Sequence, residues 1–142
     1  MGLFLLLVMA LPQEYINLIM DGNYEGALAY CEEMIAKGKG VYAWEVEKGD
    51  IYFDKLDDYD KAAEIYSRLV TTYAKKDGQL HLRLALALEM KEDYLNAAKA
   101  YEIVATQYRK PPLDSFALSG VERCFKKNYQ DFVASVDGFK FT

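Results

Sequence analysis

Residues 58–73 have the sequence DYDKAAEIYSRLVTTY, and residues 93–108 have the sequence DYLNAAKAYEIVATQY. In both stretches apolar residues recur at intervals of three and four, which is typical of one face of an amphipathic helix. The aspartate that opens each stretch suits a helix N-cap, because a short carboxylate can accept a hydrogen bond from a backbone N–H that the helix leaves unpaired. The two stretches therefore predict two similar helices.

The similarity extends over most of the chain as an internal repeat of 35 residues. A tyrosine recurs at this spacing, at Tyr24, Tyr59, Tyr94 and Tyr129. Three residues after the first three tyrosines there is an alanine, at Ala27, Ala62 and Ala97. The position four residues further on holds Cys31, Tyr66 and Tyr101. Since the segment before a tyrosine is also rich in helix formers, as in Leu80–Met90, each repeat is predicted to contain two helices.

The boxes at 23–27, 58–62 and 93–97 resemble the tetratricopeptide repeat, a helix–turn–helix unit of about 34 residues. The family's small residue in the first helix of a unit is matched by Ala85 and Gly120, whereas Tyr15 and Asp50 stand in that position elsewhere. The resemblance implies an all-α fold, a right-handed α-α superhelix or solenoid of about three and a half repeats. The implied domain is 12–142, with repeats at about 12–40, 41–77, 78–112 and a truncated, capping repeat at 113–137.

Length and charge limit the classes of function. The chain of 142 residues suits one domain, and 52% hydrophobic residues exclude a disordered protein. The net charge of −5 argues against nucleic-acid binding, which needs a clustered cationic face. Residues 14–64 hold 13 acids and 5 bases, a balance of −8, and residues 65–142 hold 9 acids and 12 bases, a balance of +3. The split indicates either two solvated faces or electrostatic steering of copies or of a charged partner.

The residues that carry metal or redox chemistry are few. Cys31 and Cys124 form no CxxC pair, and His81 is the one histidine of the sequence. Neither a zinc site nor a redox motif is indicated, so no metal and no cofactor are expected. We expect His81 to be a helix-packing or helix-surface residue.

The segment 1–11 contains nine consecutive apolar residues, Leu3–Leu11. This run is too short to span a bilayer, which takes about 20 residues. Its length fits the apolar part of a signal peptide, with Val8-Met9-Ala10 as a cleavage site, but no Lys or Arg precedes it. The other interpretation is that it begins the first helix. The tyrosines that end two second helices, Tyr73 and Tyr108, resemble the cell-envelope branch of the family, and periplasm and cytoplasm both stay open.

The resemblance also implies a binding surface, because the first helices of successive tetratricopeptide units line a concave groove for a peptide or helix. The positions carried over to this sequence are Ile16, Trp44, Glu47, Ile51, Leu82, Arg83, Leu86, Met90, Val121 and Phe125. Most are apolar, which favours a hydrophobic or amphipathic segment as ligand. Arg83 alone suits the family's clamp for a terminal carboxylate, so that clamp is not expected. Trp44 is either an interface anchor or the aromatic residue that pins its own helix.

These features bear on three classes of function. The favoured one is a non-catalytic scaffold that binds a protein or peptide segment. The alternative is a self-assembling structural protein, a homo-oligomer whose groove holds its own or a sister chain's N-terminal segment. An enzyme is not expected: the sequence has no phosphate-binding glycine loop, and Asp50 beside Glu47 is the one pair of acids with a place near the interior.

Overall fold

A computed structural model describes residues 11–73, 78–108 and 111–136. Over these ranges the chain is all-helical, which confirms the predicted fold class in its coarse form. The apolar run before Leu11 and the residues after 136 lie outside the described residues. None of the described helices is long and apolar enough to cross a membrane.

The chain divides into two compact units, Met1–Ala74 and Lys75–Thr142. The helices of the first unit are α1 (Gln13–Met20), α2 (Tyr24–Ala36), α3 (Val41–Asp50) and α4 (Tyr59–Thr72), with a π-helical turn at Ile51–Lys55 that continues α3. The helices of the second unit are α5 (Gly78–Met90), α6 (Tyr94–Gln107) and α7 (Leu113–Val136). Within each unit, helices that follow one another in sequence pack against one another.

The 35-residue spacing of the sequence is visible in the backbone at three turns. The residue two positions before each tyrosine has a positive φ, at Gly22, Asp57 and Glu92. The next residue caps the following helix, with φ between −94° and −85° and ψ between 70° and 79° at Asn23, Asp58 and Asp93. The left-handed residue stops one helix and turns the chain, so that the tyrosine begins the next helix. The chain is therefore a helical repeat-like structure.

The three caps differ in their hydrogen bonds. The Asn23 side chain accepts a bond from the backbone N–H of Gly26 at 2.9 Å, and Asp58 accepts one from that of Lys61 at 3.2 Å. Asp93 occupies the cap position without a capping bond, and instead accepts a bond from the side-chain amide of Asn96 at 2.9 Å. Asp58 therefore acts as the predicted N-cap, whereas Asp93 occupies the cap position without making the capping bond.

The repeated alanine and aromatic positions form the core of the helix pairs. Ala27, Ala62 and Ala97 are fully buried, as are Cys31, Tyr66 and Tyr101. A Cβ on Gly49 would lie 2.5 Å from the ring of Tyr66, and a Cβ on Gly120 would lie 2.7 Å from the ring of Tyr101. Glycine thus allows the backbone of one helix to lie directly on the aromatic ring of another. In the second repeat this contact is made by Gly49 and not by Asp50, which the sequence register had put in the small-residue position.

The last repeat differs from the others, because residues 113–136 form one uninterrupted helix of 24 residues. Lys127 and Asn128 stand where the earlier repeats have the left-handed residue and the cap, yet both are helical. No glycine or proline occurs between Val121 and Val136, so the covalent backbone does not oppose continuation of the helix.

Replacing Gly120 with alanine tests the close approach of α7 to Tyr101. Alanine is favoured over glycine within a helix by about 1 kcal/mol, but overpacking a core costs about 1–3 kcal/mol. Because the Tyr101 ring is fully buried and cannot swing away, we expect a net loss of about 1–2 kcal/mol, measured by urea denaturation with circular dichroism. The control is Ser119→Ala, at an exposed position of the same helix, where no loss is expected. A Gly120→Ala variant as stable as the wild type would contradict the close contact.

Candidate functional site

In the first unit, the site residues predicted from sequence lie mostly in the core. Trp44 is 7% exposed and packs its indole edge-on against Tyr15, with ring centroids 5.0 Å apart, and against Tyr30 at 5.3 Å. Ile51 belongs to the same buried cluster, and Ile16 is half-buried. Of the two roles open for Trp44, the geometry favours the aromatic that pins its own helix, because so little of the ring is left for a partner.

The acids of α3 are also turned inward. Glu47 accepts a hydrogen bond from the hydroxyl of Tyr15 at 2.9 Å, and Asp50 accepts one from that of Tyr66 at 2.5 Å. Burial raises the pKa of the Tyr15 hydroxyl, so the tyrosine stays protonated as the donor. Burial also raises the pKa of the neighbouring Cys31 thiol to about 12, which leaves it unreactive at neutral pH. The two carboxylates thus serve as hydrogen-bond acceptors for the hydroxyls of buried tyrosines.

In the second unit the predicted residues separate into buried and exposed groups. Leu82 and Arg83 are buried, and Leu86 and Val121 are half-buried. Met90 and Phe125, in contrast, are 50% and 51% exposed. Only the exposed side chains offer substantial apolar area to another molecule.

Met90 lies at the edge of a groove between the end of α5, the α5–α6 turn and α7. The groove has a volume of about 510 Å³ and is lined by Glu89, Met90, Glu92, Tyr94, Arg123, Lys126, Lys127 and Gln130. The volume falls within the range of about 300–1,000 Å³ that is usual for ligand pockets. Sequence reasoning found Met90 and missed the other lining residues.

Two of the residues that line this groove form an ion pair. The guanidinium of Arg123 donates to both oxygens of Glu89, at 2.5 and 2.8 Å, and the Tyr101 hydroxyl donates to Glu89 at 2.6 Å. The bonds from Arg123 and Tyr101 hold the pKa of Glu89 below its usual range. Glu89 is therefore a carboxylate at neutral pH and ties together α5, α6 and α7.

The remaining cations of the groove face solvent. Lys126 and Lys127 are exposed, and neither forms an ion pair within the part of the chain that the structure describes. Burial and the nearby carboxylates of Glu92 and Asp131 raise the pKa of Tyr94, so its hydroxyl remains a neutral donor. The groove thus presents two ammonium groups, the carboxylate of Glu92, a phenol and the thioether of Met90. Because Glu89 is paired with Arg123, the remaining charges leave a positive balance of one, which suits a ligand with both acidic and apolar groups.

A second exposed surface lies on the other side of α7. At about 100° per residue, Leu118, Phe125 and Tyr129 project within about 20° of one direction. The groove cations Lys126 and Lys127 project about 80° and 180° away from it. Phe125 therefore belongs to this outer face and not to the groove with Met90, although the repeat register had grouped the two. The spacing 118, 125, 129 is a helical stripe that the sequence itself contained.

Comparisons of the chain with protein-family models, with curated proteins and with solved structures find no match. Among the described residues there is also no group of three or more His, Cys, Asp or Glu side chains that is placed to hold a metal ion. The case for a function therefore depends on the residues and geometry of the surfaces described above.

The Glu89–Arg123 pair can be tested by replacing Glu89 with glutamine. We expect a loss of about 1 kcal/mol at neutral pH, because a hydrogen bond between charged groups is replaced by a weaker one. The folded-state pKa of Glu89 is depressed below 4.5, so its contribution is present above that pH and is lost as the pH falls through the lowered pKa.

The difference in stability between wild type and Glu89→Gln should therefore shrink on going from neutral pH to about pH 3, as measured by urea denaturation at each pH. The control is Glu102→Gln on α6, whose exposed side chain lies away from this network. An effect of Glu89→Gln that does not change with pH would argue against the ion pair.

Proposed function

We propose that this protein is a non-catalytic protein–protein interaction scaffold, built as a right-handed α-α superhelix of tetratricopeptide type, that binds an acidic, amphipathic segment of a partner in the groove of its second unit. The proposed fold is supported by the three repeated turns and by the alanine and aromatic positions that are buried at the same spacing. The observation that carries the proposed function is the groove at Met90 and Tyr94, flanked by the exposed Lys126 and Lys127.

The chemistry of the groove selects the kind of ligand. Arg123 is already neutralised by Glu89, so the two lysines are the cations left to attract a ligand. Carboxylates of a partner would meet these ammonium groups, while apolar side chains would cover Met90. A basic segment would meet the same lysines with repulsion, which gives the groove a preference.

A non-catalytic role is supported by the way in which the buried acids are used. Glu47 and Asp50 each accept a hydrogen bond from a buried tyrosine, and Glu45 pairs with Arg68 at 2.8 Å. These contacts give the carboxylates of α3 a part in the helix packing.

The proposal can be tested with a displayed library of short random peptides selected against the full chain. We expect the selected peptides to combine carboxylates with apolar residues. In a binding assay in solution, Lys127→Glu should weaken them by about five- to tenfold, because it replaces attraction by repulsion at the edge of the groove. The matched control is Lys99→Glu, an exposed lysine on α6 outside the groove, which should leave binding unchanged.

The binding site can be located in the same samples from the methionine methyl resonances. The Met90 methyl signal should shift when a selected peptide is added, whereas that of Met34, a half-buried residue of the first unit, should not. Failure to select any peptide that binds in solution, or peptides indifferent to Lys127→Glu, would contradict the proposal.

A further inference from the structure

The outer face of α7 exposes more apolar side chain than any other described helix face of the second unit. Leu118, Phe125 and Tyr129 are 60%, 51% and 66% exposed. Val121, half-buried, lies beside them on the edge that turns toward the core. Single exposed apolar residues are common, but three on one stripe of a helix are typical of an interaction surface.

Between Leu118 and Tyr129 the order of residues along this stripe is nearly symmetric. Leu118 and Tyr129 have their midpoint at position 123.5, and Val121 and Phe125 have theirs at position 123. Glu122 and Lys126, which flank the stripe on its solvent side, have theirs at position 124. An antiparallel copy of the helix, rotated about an axis near position 124, would therefore place apolar residues against apolar residues and acid against base.

The charged pair fits this arrangement. Glu122 and Lys126 are exposed, and neither takes part in an ion pair or hydrogen bond among the residues that the structure describes. On one helix both side chains project to the same side of the stripe. A two-fold axis perpendicular to the plane of the two helices leaves these side chains on the same side of the pair in both copies. Glu122 of each copy would therefore face Lys126 of the other.

We propose that α7 pairs antiparallel with α7 of a second copy of this chain, as an isologous dimer centred near Cys124, whose own side chain is buried toward the core. Phe125 and Val121 form the middle of the interface, Leu118 and Tyr129 close its two ends, and two Glu122–Lys126 pairs fix the antiparallel register. Apart from Lys126, which also lines the groove of the second unit, the interface lies on the flank of α7 away from Met90 and Lys127.

A second copy is the occupant that this surface specifies. A helix of unrelated sequence could cover the apolar stripe, but the three midpoints fall within one residue of each other, which favours the same helix, reversed. The apolar part of this surface is separate from the peptide-binding groove, and Lys126 is the one residue that belongs to both.

The first test is sedimentation equilibrium of the full chain over a range of concentrations. We expect a monomer–dimer equilibrium. Phe125→Glu should raise the dimer dissociation constant by about tenfold or more, since it puts a charge at the centre of the interface. The matched control is Leu95→Glu on α6, an apolar residue of similar exposure (48%) away from the stripe, which should not change the equilibrium. Circular dichroism of each variant verifies that it is folded.

The second test is a charge exchange that reports on the register. In Glu122→Lys alone, and in Lys126→Glu alone, like charges face each other in the dimer, so each variant should dimerise more weakly than the wild type. When the two variants are mixed in equal amounts, the lysines of one copy meet the glutamates of the other. The mixture should then form a heterodimer about as readily as the wild type forms its homodimer.

Three results would overturn the proposal. A full chain that stays monomeric at every concentration would exclude the dimer, and a dimer indifferent to Phe125→Glu would place self-association elsewhere. Single charge variants that do not recover on mixing would exclude the antiparallel register. None of these results bears on peptide binding, which is read out by Lys127→Glu.

Discussion

A buried tyrosine ring that packs on a glycine of a neighbouring helix sets the packing of both units. Tyr66 lies against Gly49 in the first unit, and Tyr101 lies against Gly120 in the second. The ring contributes a large apolar area, but its hydroxyl cannot be buried without a partner, since an unsatisfied polar group costs about 1–3 kcal/mol. Each hydroxyl therefore donates a hydrogen bond to a carboxylate, that of Asp50 in the first unit and that of Glu89 in the second.

This requirement explains why an all-helical core contains acids. The carboxylates on α3 accept hydrogen bonds from tyrosine hydroxyls and from the guanidinium of Arg68. In the second unit Arg123 of α7 donates a hydrogen bond to the same carboxylate, Glu89 of α5, that accepts the Tyr101 hydroxyl. This ion pair links α7 to α5. The groove therefore lies beside the residues that satisfy the Tyr101 hydroxyl.

The helices and their turns could be predicted from sequence because the signal is local and repeated. The 35-residue period placed Asn23, Asp58 and Asp93 at helix starts, and the backbone has them there. The candidate binding surface could not be predicted to the same degree, because it depends on which way each helix face turns after packing. Trp44 and Met90 were both predicted to line the groove, yet the first is buried and the second exposed. A shift of one position, from Asp50 to Gly49, likewise decided which residue meets the ring of Tyr66.

The length of α7 has a consequence for how this protein can change. At about 1.5 Å per residue, a helix of 24 residues is about 36 Å long, whereas the 13 and 14 residues of α5 and α6 give about 20 Å each. From Phe125 to Asp131 every residue of α7 is exposed, so this stretch contributes little to the core. Substitutions in this stretch change the chemistry of the surface at little cost in stability. Mutations in these two helical turns can therefore change which partners the surface would bind while the fold stays the same.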